Sequence, residues 1–208
     1  MDTSLSLTSL TALATVMTLG ALIPGLSTLT VAARAATSGF RHGLLTTAGI
    51  VLGDLIFIVI AMFGLSLLAD TLGDHFVLIH YLGGVYLMGL GLLLWRSRPA
   101  AAPVAQNPSL SLAASFMSGL LLTLADQKAI LFYLGFFPAL IDLPRLTRLD
   151  AGLILLIAVF AVGLPKLFYA ALAVKAGRVV MRGTLARALN LAMGSVLIGV
   201  GILVVLTI

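Results

Sequence analysis

The sequence predicts an all-α integral membrane protein, with six transmembrane helices arranged as two inverted three-helix repeats. Three observations carry this expectation. The chain is 61% hydrophobic and only 9% charged, with a mean hydropathy of +1.21, whereas soluble domains carry about 25% charged residues. Six apolar runs each approach or exceed the ~20 residues that a helix needs to cross the hydrocarbon. A glycine pattern in the third run returns in the sixth, 110 residues later.

The runs are 5–30, 44–68, 76–95, 112–140, 151–174 and 188–208. They are far longer than barrel strands and do not alternate, which argues against β structure. The N-terminus, "MDTSLSLTSL", carries an acid and no early Lys or Arg, so the first run is expected to be a retained span and not a secretory signal. Basic residues assign the sides. Arg34 and Arg41 follow span one, Arg96 and Arg98 follow span three, and Lys175, Arg178, Arg182 and Arg187 follow span five. The link after span two has no Lys or Arg, while Arg145 and Arg148 after span four are offset by Asp142 and Asp150. Odd links therefore face the cytoplasm, and both termini lie outside. The link with Pro99, Pro103 and Pro108 divides the chain into a first repeat (1–98), a cytoplasmic linker (99–109) and a second repeat (110–208).

The halves echo each other. Gly84, Gly89 and Gly91 in "GVYLMGLG" match Gly194, Gly199 and Gly201 in "GSVLIGVG". Asp54 in "VLGDLIF" matches Lys166 in "VGLPKLF", and the Pro24 region matches 126–128 with a gap. Units of three spans enter the bilayer from opposite sides, which is a common build of secondary transporters. Helices in lipid approach closely through small residues. Gly49 and Gly53, with the two glycine sets above, are therefore expected at helix contacts.

A lone charge at the centre of a span costs about 2.5–3.5 kcal/mol on insertion scales. Asp54, Lys166, Asp126 and Lys128 all lie within the runs. Matching positions of inverted units approach across the two-fold axis, so Asp54 and Lys166 are expected to form an ion pair or to be parted by substrate; a static bridge is the alternative. Asp126 and Lys128 share one cavity only if the helix opens there, and Lys128 can otherwise reach the cytoplasmic surface. Asp54 is the first candidate for a proton site. Tyr81 and Trp95 read as interface residues, Tyr133 and Tyr169 as pore candidates, and His42, His75 and His80 as interfacial residues without ligand spacing.

Pro24 and Gly25 break the first run. Proline lacks an amide donor and crowds the carbonyl four residues back. The break frees carbonyls near Gly20 and Ala21 and leaves amides at the start of a new half-helix, where a carboxylate is attracted. Ser27 and Thr28 add hydroxyls. Packing alone is the competing reading of such a kink.

Other classes are less well served. There is no cysteine, hence no disulfide and no thiolate zinc site. No metal site, cofactor or nucleotide-binding loop is expected, and the net charge of +5 on so few charged groups reflects sidedness and not nucleic acid. No Ser/His/Asp or paired-carboxylate set gathers as an enzyme requires. A small-ion or metal permease or channel of similar build, and a structural membrane scaffold, remain as alternatives.

Three segments give the chain a resemblance: "GALIPGLSTLTVAARAATSGFRHGLLTTAGIVLGDLIF", "LGGVYLMGLGLLLWRS" and "FMSGLLLTLADQKAILFYLGFFPAL". It resembles the LysE/RhtB family of amino-acid exporters, six-span proteins with a Pro-Gly-Pro segment in the first span and Asn-Pro-Lys in the fourth. Pro24 and Gly25 take the first two of those positions, and Leu26 stands where the second proline is usual. Asp126 and Gln127 replace Asn and Pro, and Lys128 keeps the Lys. The resemblance implies a bacterial inner-membrane protein that exports an amino acid or a derivative, driven by the proton motive force. Its partners would be the lipid bilayer, the small-molecule substrate and, with six spans making a thin wall, a second copy of the chain.

Overall fold

The computed structural model describes residues 5–23, 25–72, 77–96, 111–126, 129, 132–135, 141, 146–176 and 183–206. Pro24, Gln127, Lys128, His75 and the 99–109 linker lie outside these residues. The described elements are helical. They are α1 (Leu7–Leu22), α2 (Leu26–Ser38), α3 (Phe40–Leu72), α4 (Val77–Arg96), α5 (Leu112–Leu124), α6 (Arg148–Ala176) and α7 (Gly183–Leu206).

Local chemistry sets the helix ends. Ser6 and Ser111 cap α1 and α5, their hydroxyls accepting from the amides of Ser9 and Ala114. Ile23 is extended, at φ −65° and ψ 125°, because the residue before a proline is pushed out of the helical region. Gly39 turns α2 into α3 at φ 93°, a left-handed conformation that favours glycine. The start of α6 is a capping box: Asp150 Oδ2 accepts from the amide and hydroxyl of Thr147, and the Asp150 amide donates back to Thr147 Oγ1. This explains how Asp150 can be fully buried: it caps a helix as well as offsetting the basic charge of its link.

The segment expected to link spans one and two is itself helical. α2 runs through Arg34 to Ser38, and only Gly39 separates it from α3. "VAARAATS" contains strong helix formers and no breaker, so the helix continues until the glycine.

Two helices are long and apolar enough to cross a bilayer, over Phe40–Gly64 and Arg148–Lys175. The pair α1–α2, bent by 60°, makes a third if counted as one span. Phe63, Leu121, Phe160 and Phe168 are exposed on the outside, as expected where lipid and not water is the surrounding solvent. The protein is an all-α, membrane-spanning bundle.

α6 packs against α1, α2 and α3, and α5 lies along α3. Val31, Ile50, Ile58, Ile154 and Ala170 are buried in this core. A Cβ on Gly49 would strike the Phe116 carbonyl and the Leu120 amide, and one on Gly119 would strike the carbonyl of Thr46. Contacts that rise together in number make α3 and α5 parallel. His42, expected as a plain interfacial residue, ties the same pair through Nδ1 and Ser115 Oγ at 2.8 Å. α4 and α7 instead run antiparallel. A Cβ on Gly91 would strike the Gly194 carbonyl, and one on Gly201 the Gly84 carbonyl. Trp95 closes one end, donating from Nε1 to the Leu191 carbonyl at 3.1 Å.

The expected glycine contacts need one correction. Gly89 and Gly199 meet nothing where a Cβ would lie. In a helix of 3.6 residues per turn, they sit on a different face from Gly91 and Gly201, two positions away.

Candidate functional site

The first apolar run is interrupted between α1 and α2, and a cavity of about 310 Å³ opens beside the interruption. Gly20 and Ala21, from the end of α1, line it on one side. Gly25, Leu26 and Ser27, from the start of α2, line it on another. α3 contributes Asp54, the chain after α5 contributes Asp126 and Tyr133, and α6 contributes Lys166. Met17, Phe132, Val162 and Leu197 give the remaining wall an apolar character.

The charged groups are held in particular ways. Lys166 is 4% exposed and Asp54 8% exposed. A buried charge is tolerable only with a partner. Lys166 Nζ donates to Ser27 Oγ at 3.1 Å, across 139 residues of chain. Tyr133 is buried as well, 5% exposed, and lines the same cavity as Asp54. Asp54 and Lys166 thus face one cavity and feel each other's charge, but the hydrogen bond described for the ammonium goes to Ser27.

Helix ends complete the polar inventory. Gly25 caps α2 without a side-chain bond, so the first-turn amides point outward with the positive end of the helix dipole. At the end of α1, Ile23 N donates to Gly20 O and Gly25 N to Ile23 O. Among the described residues no donor reaches the Ala21 carbonyl. Carbonyls attract a cation and amides attract an anion, and here both sit at one hollow.

Of the expected site residues, Gly25, Ser27, Asp54, Asp126 and Lys166 come together at this cavity. Thr28 does not line it. It is buried, and its hydroxyl donates to the Ile23 carbonyl at 3.4 Å. Pro24 and Lys128 lie outside the described residues. α5 stops at Leu124, and Asp126 follows Ala125 outside regular helix, so the fourth run is interrupted where its charges begin. Tyr169 is buried and does not line the cavity; its hydroxyl donates to the Leu22 carbonyl at 2.9 Å. The apolar lining from Met17, Val162 and Leu197 carried no signal in the sequence, because these residues resemble every other apolar residue of a span.

A larger hollow of about 520 Å³ lies between α1 and α6, lined by Ala14, Thr18, Phe160, Leu164 and Phe168 among others. It holds no charged group, and size alone does not make it a site for a polar substrate.

Residues 18–207 match the family model of the LysE type translocators. The chain belongs to that family. A LysE type translocator is a secondary transporter for the efflux of an amino acid or amino-acid derivative and not an enzyme, and it sits in the inner membrane as a multi-pass protein. The translocator is 43% identical over 187 residues to an uncharacterized membrane protein of Synechocystis sp., covering 90% of each chain. It is 30% identical over 183 residues to an uncharacterized membrane protein of Vibrio cholerae, covering 88% of this chain and 89% of the relative. A leucine efflux protein of Salmonella typhimurium is 34% identical over 122 residues, or 58% of each chain. No solved structure matches the translocator.

Proposed function

We propose that the translocator exports a zwitterionic amino acid through the cavity at the broken first span. The observation that carries this is the meeting of a carbonyl end and an amide end at one hollow that also holds Lys166 and Asp54. The substrate carboxylate sits against Lys166 Nζ, Ser27 Oγ and the first amides of α2. Its ammonium faces Asp54, Asp126 and the Ala21 carbonyl. This is the arrangement a discontinuous helix offers in other transporter folds. The cavity volume fits the small-molecule range that begins at about 300 Å³. The apolar wall, together with the likeness to leucine efflux proteins, places aliphatic amino acids first in the order of testing. Asp54 is the coupling residue in this reading, carrying the proton that drives export.

Two inverted three-span units, meeting at the 99–109 linker, form the scaffold. The contacts of α4 and α7 support this. Gly91 meets Gly194 and Ile198, while Gly201 meets Gly84 and Met88. A shift of 110 residues exchanges one set of contacts for the other, as a two-fold axis between the helices requires. The parallel α3–α5 pair has its counterpart in α6 lying along the first span. Both termini then lie outside, and a reporter fused to either one should read as external; a cytoplasmic readout from one end would refute the six-span count. A homodimer is the assembly this reading expects, since a second copy thickens the wall around the cavity.

Cells preloaded with a panel of labelled amino acids, leucine included, test the function. Cells carrying the protein should lose at least one panel member several-fold faster than cells without it, and an uncoupler should remove the difference. If no member leaves faster, the export reading fails.

A further inference from the structure

The substrate site exists only while the break in the first span is held open, so what grips its two ends matters. The last carbonyls of a helix lack intrahelical amides, and the Pro24 nitrogen has none to give. Gly20 O and Ile23 O are satisfied by nearby amides. Leu22 O is satisfied from another helix, by the hydroxyl of Tyr169 at 2.9 Å, across 147 residues of chain. Tyr169 is three residues beyond Lys166 on α6 and therefore on the same side, one turn along. Lys166 in turn reaches Ser27 on the far side of the break. A single turn of α6 grips the carbonyl end of α1 and the amide end of α2 together.

We propose that Tyr169 is a positioning residue for transport: its hydroxyl pins the end of α1 so that Lys166, Ser27 and the first amides of α2 keep the spacing a carboxylate requires. It does not line the cavity and does not touch substrate. Lys166 engages substrate itself, its three N–H donors serving Ser27 and a carboxylate together, whereas Tyr169 bonds only to Leu22 and supplies the fixed point. The inference rests on the export reading above and names the residue that keeps that site in shape.

Tyr169→Phe removes the hydroxyl and keeps the ring, with its edge contact to Phe168 at 6.1 Å between centroids. The chain has no cysteine, so Ile23→Cys introduces a single thiol at the cavity wall. Two quantities are measured with and without Tyr169→Phe, at equal protein level: export kinetics, and the rate at which the thiol is modified by a small water-soluble reagent. The expected result is an apparent KM raised about tenfold, with the maximal rate changed less than twofold and thiol modification several-fold faster. An unchanged KM and modification rate overturn the proposal. If the wild-type protein exports nothing, the export reading fails by itself, while the thiol measurement still reads the role of Tyr169. Should Tyr169→Phe not reach the membrane, Tyr169→Trp, which keeps bulk and an N–H donor, is expected to reach it with a near-normal KM; a Trp variant that reaches it with a strongly raised KM sinks the proposal.

Discussion

Replacing Lys166 with methionine is expected to cut export by about 10- to 100-fold, the worth of a hydrogen bond to a charged group. Methionine preserves much of the side-chain volume and removes only the ammonium. The variant loses the donor to Ser27 and the strongest attraction for a carboxylate at the cavity. It also leaves Asp54, 8% exposed, without its counter-charge, and stranding one member of a buried charge pair costs about 3–5 kcal/mol. Less protein in the membrane is therefore expected as well, and that loss alone would not distinguish a substrate site from a structural bridge. The double variant, Lys166→Met with Asp54→Asn, makes the distinction. It removes both charges, so the amount of protein should recover while export stays low. If the double variant recovers export along with amount, the two charges only hold the bundle together. Normal export by either single variant at equal protein level leads to the same conclusion.

Alanine at Gly119 or Gly49 is expected to destabilise the bundle by about 2–3 kcal/mol, near the upper end of overpacking costs. The new methyl group falls on the backbone of the facing helix: the Thr46 carbonyl in one case, the Phe116 carbonyl in the other. Backbone in a helix cannot swing aside as a side chain can, so α3 and α5 must part along their length. Alanine at Gly89 or Gly199 serves as the control. Both are helical and meet nothing within 4 Å of a Cβ, and alanine favours the helix over glycine by about 1 kcal/mol. The measurement is the thermal midpoint of the four variants in one detergent. A clear fall is expected for the first two, and no fall or a small rise for the controls. Equal behaviour of all four would refute the close contact of α3 and α5.

Much of this was legible in advance for specific reasons. Ile23, Pro24 and Gly25 announce a break because proline's missing amide and ring act within a few residues, whatever surrounds them. Asp54 and Lys166 stand out because any charge in an apolar run must answer for its cost. Other features were not legible. "VAARAATS" reads as a polar link by its arginine, yet helix propensity carries it through to Ser38. The eight glycines look alike in sequence, and only the facing helix separates Gly91 and Gly201, packed on backbone, from Gly89 and Gly199, packed on nothing. Tyr169 looked like a pore residue as much as Tyr133 did. Only the fold separates them: Tyr169 turns its hydroxyl to a partner 147 residues away, while Tyr133 lines the cavity.

By itself, then, the sequence determined the solvent this protein lives in, its helical class, the position of the break in its first apolar run and the charges that needed explaining. These follow from short-range chemistry and from the transfer cost of each residue, both of which are written locally. The tertiary structure alone decided that Lys166 meets Ser27, that Tyr169 holds the end of α1, that Thr28 turns inward to Ile23, and that an apolar wall stands beside the charged groups. Those are contacts between distant segments, fixed by how the helices pack, and neither spacing nor composition encodes a packing partner.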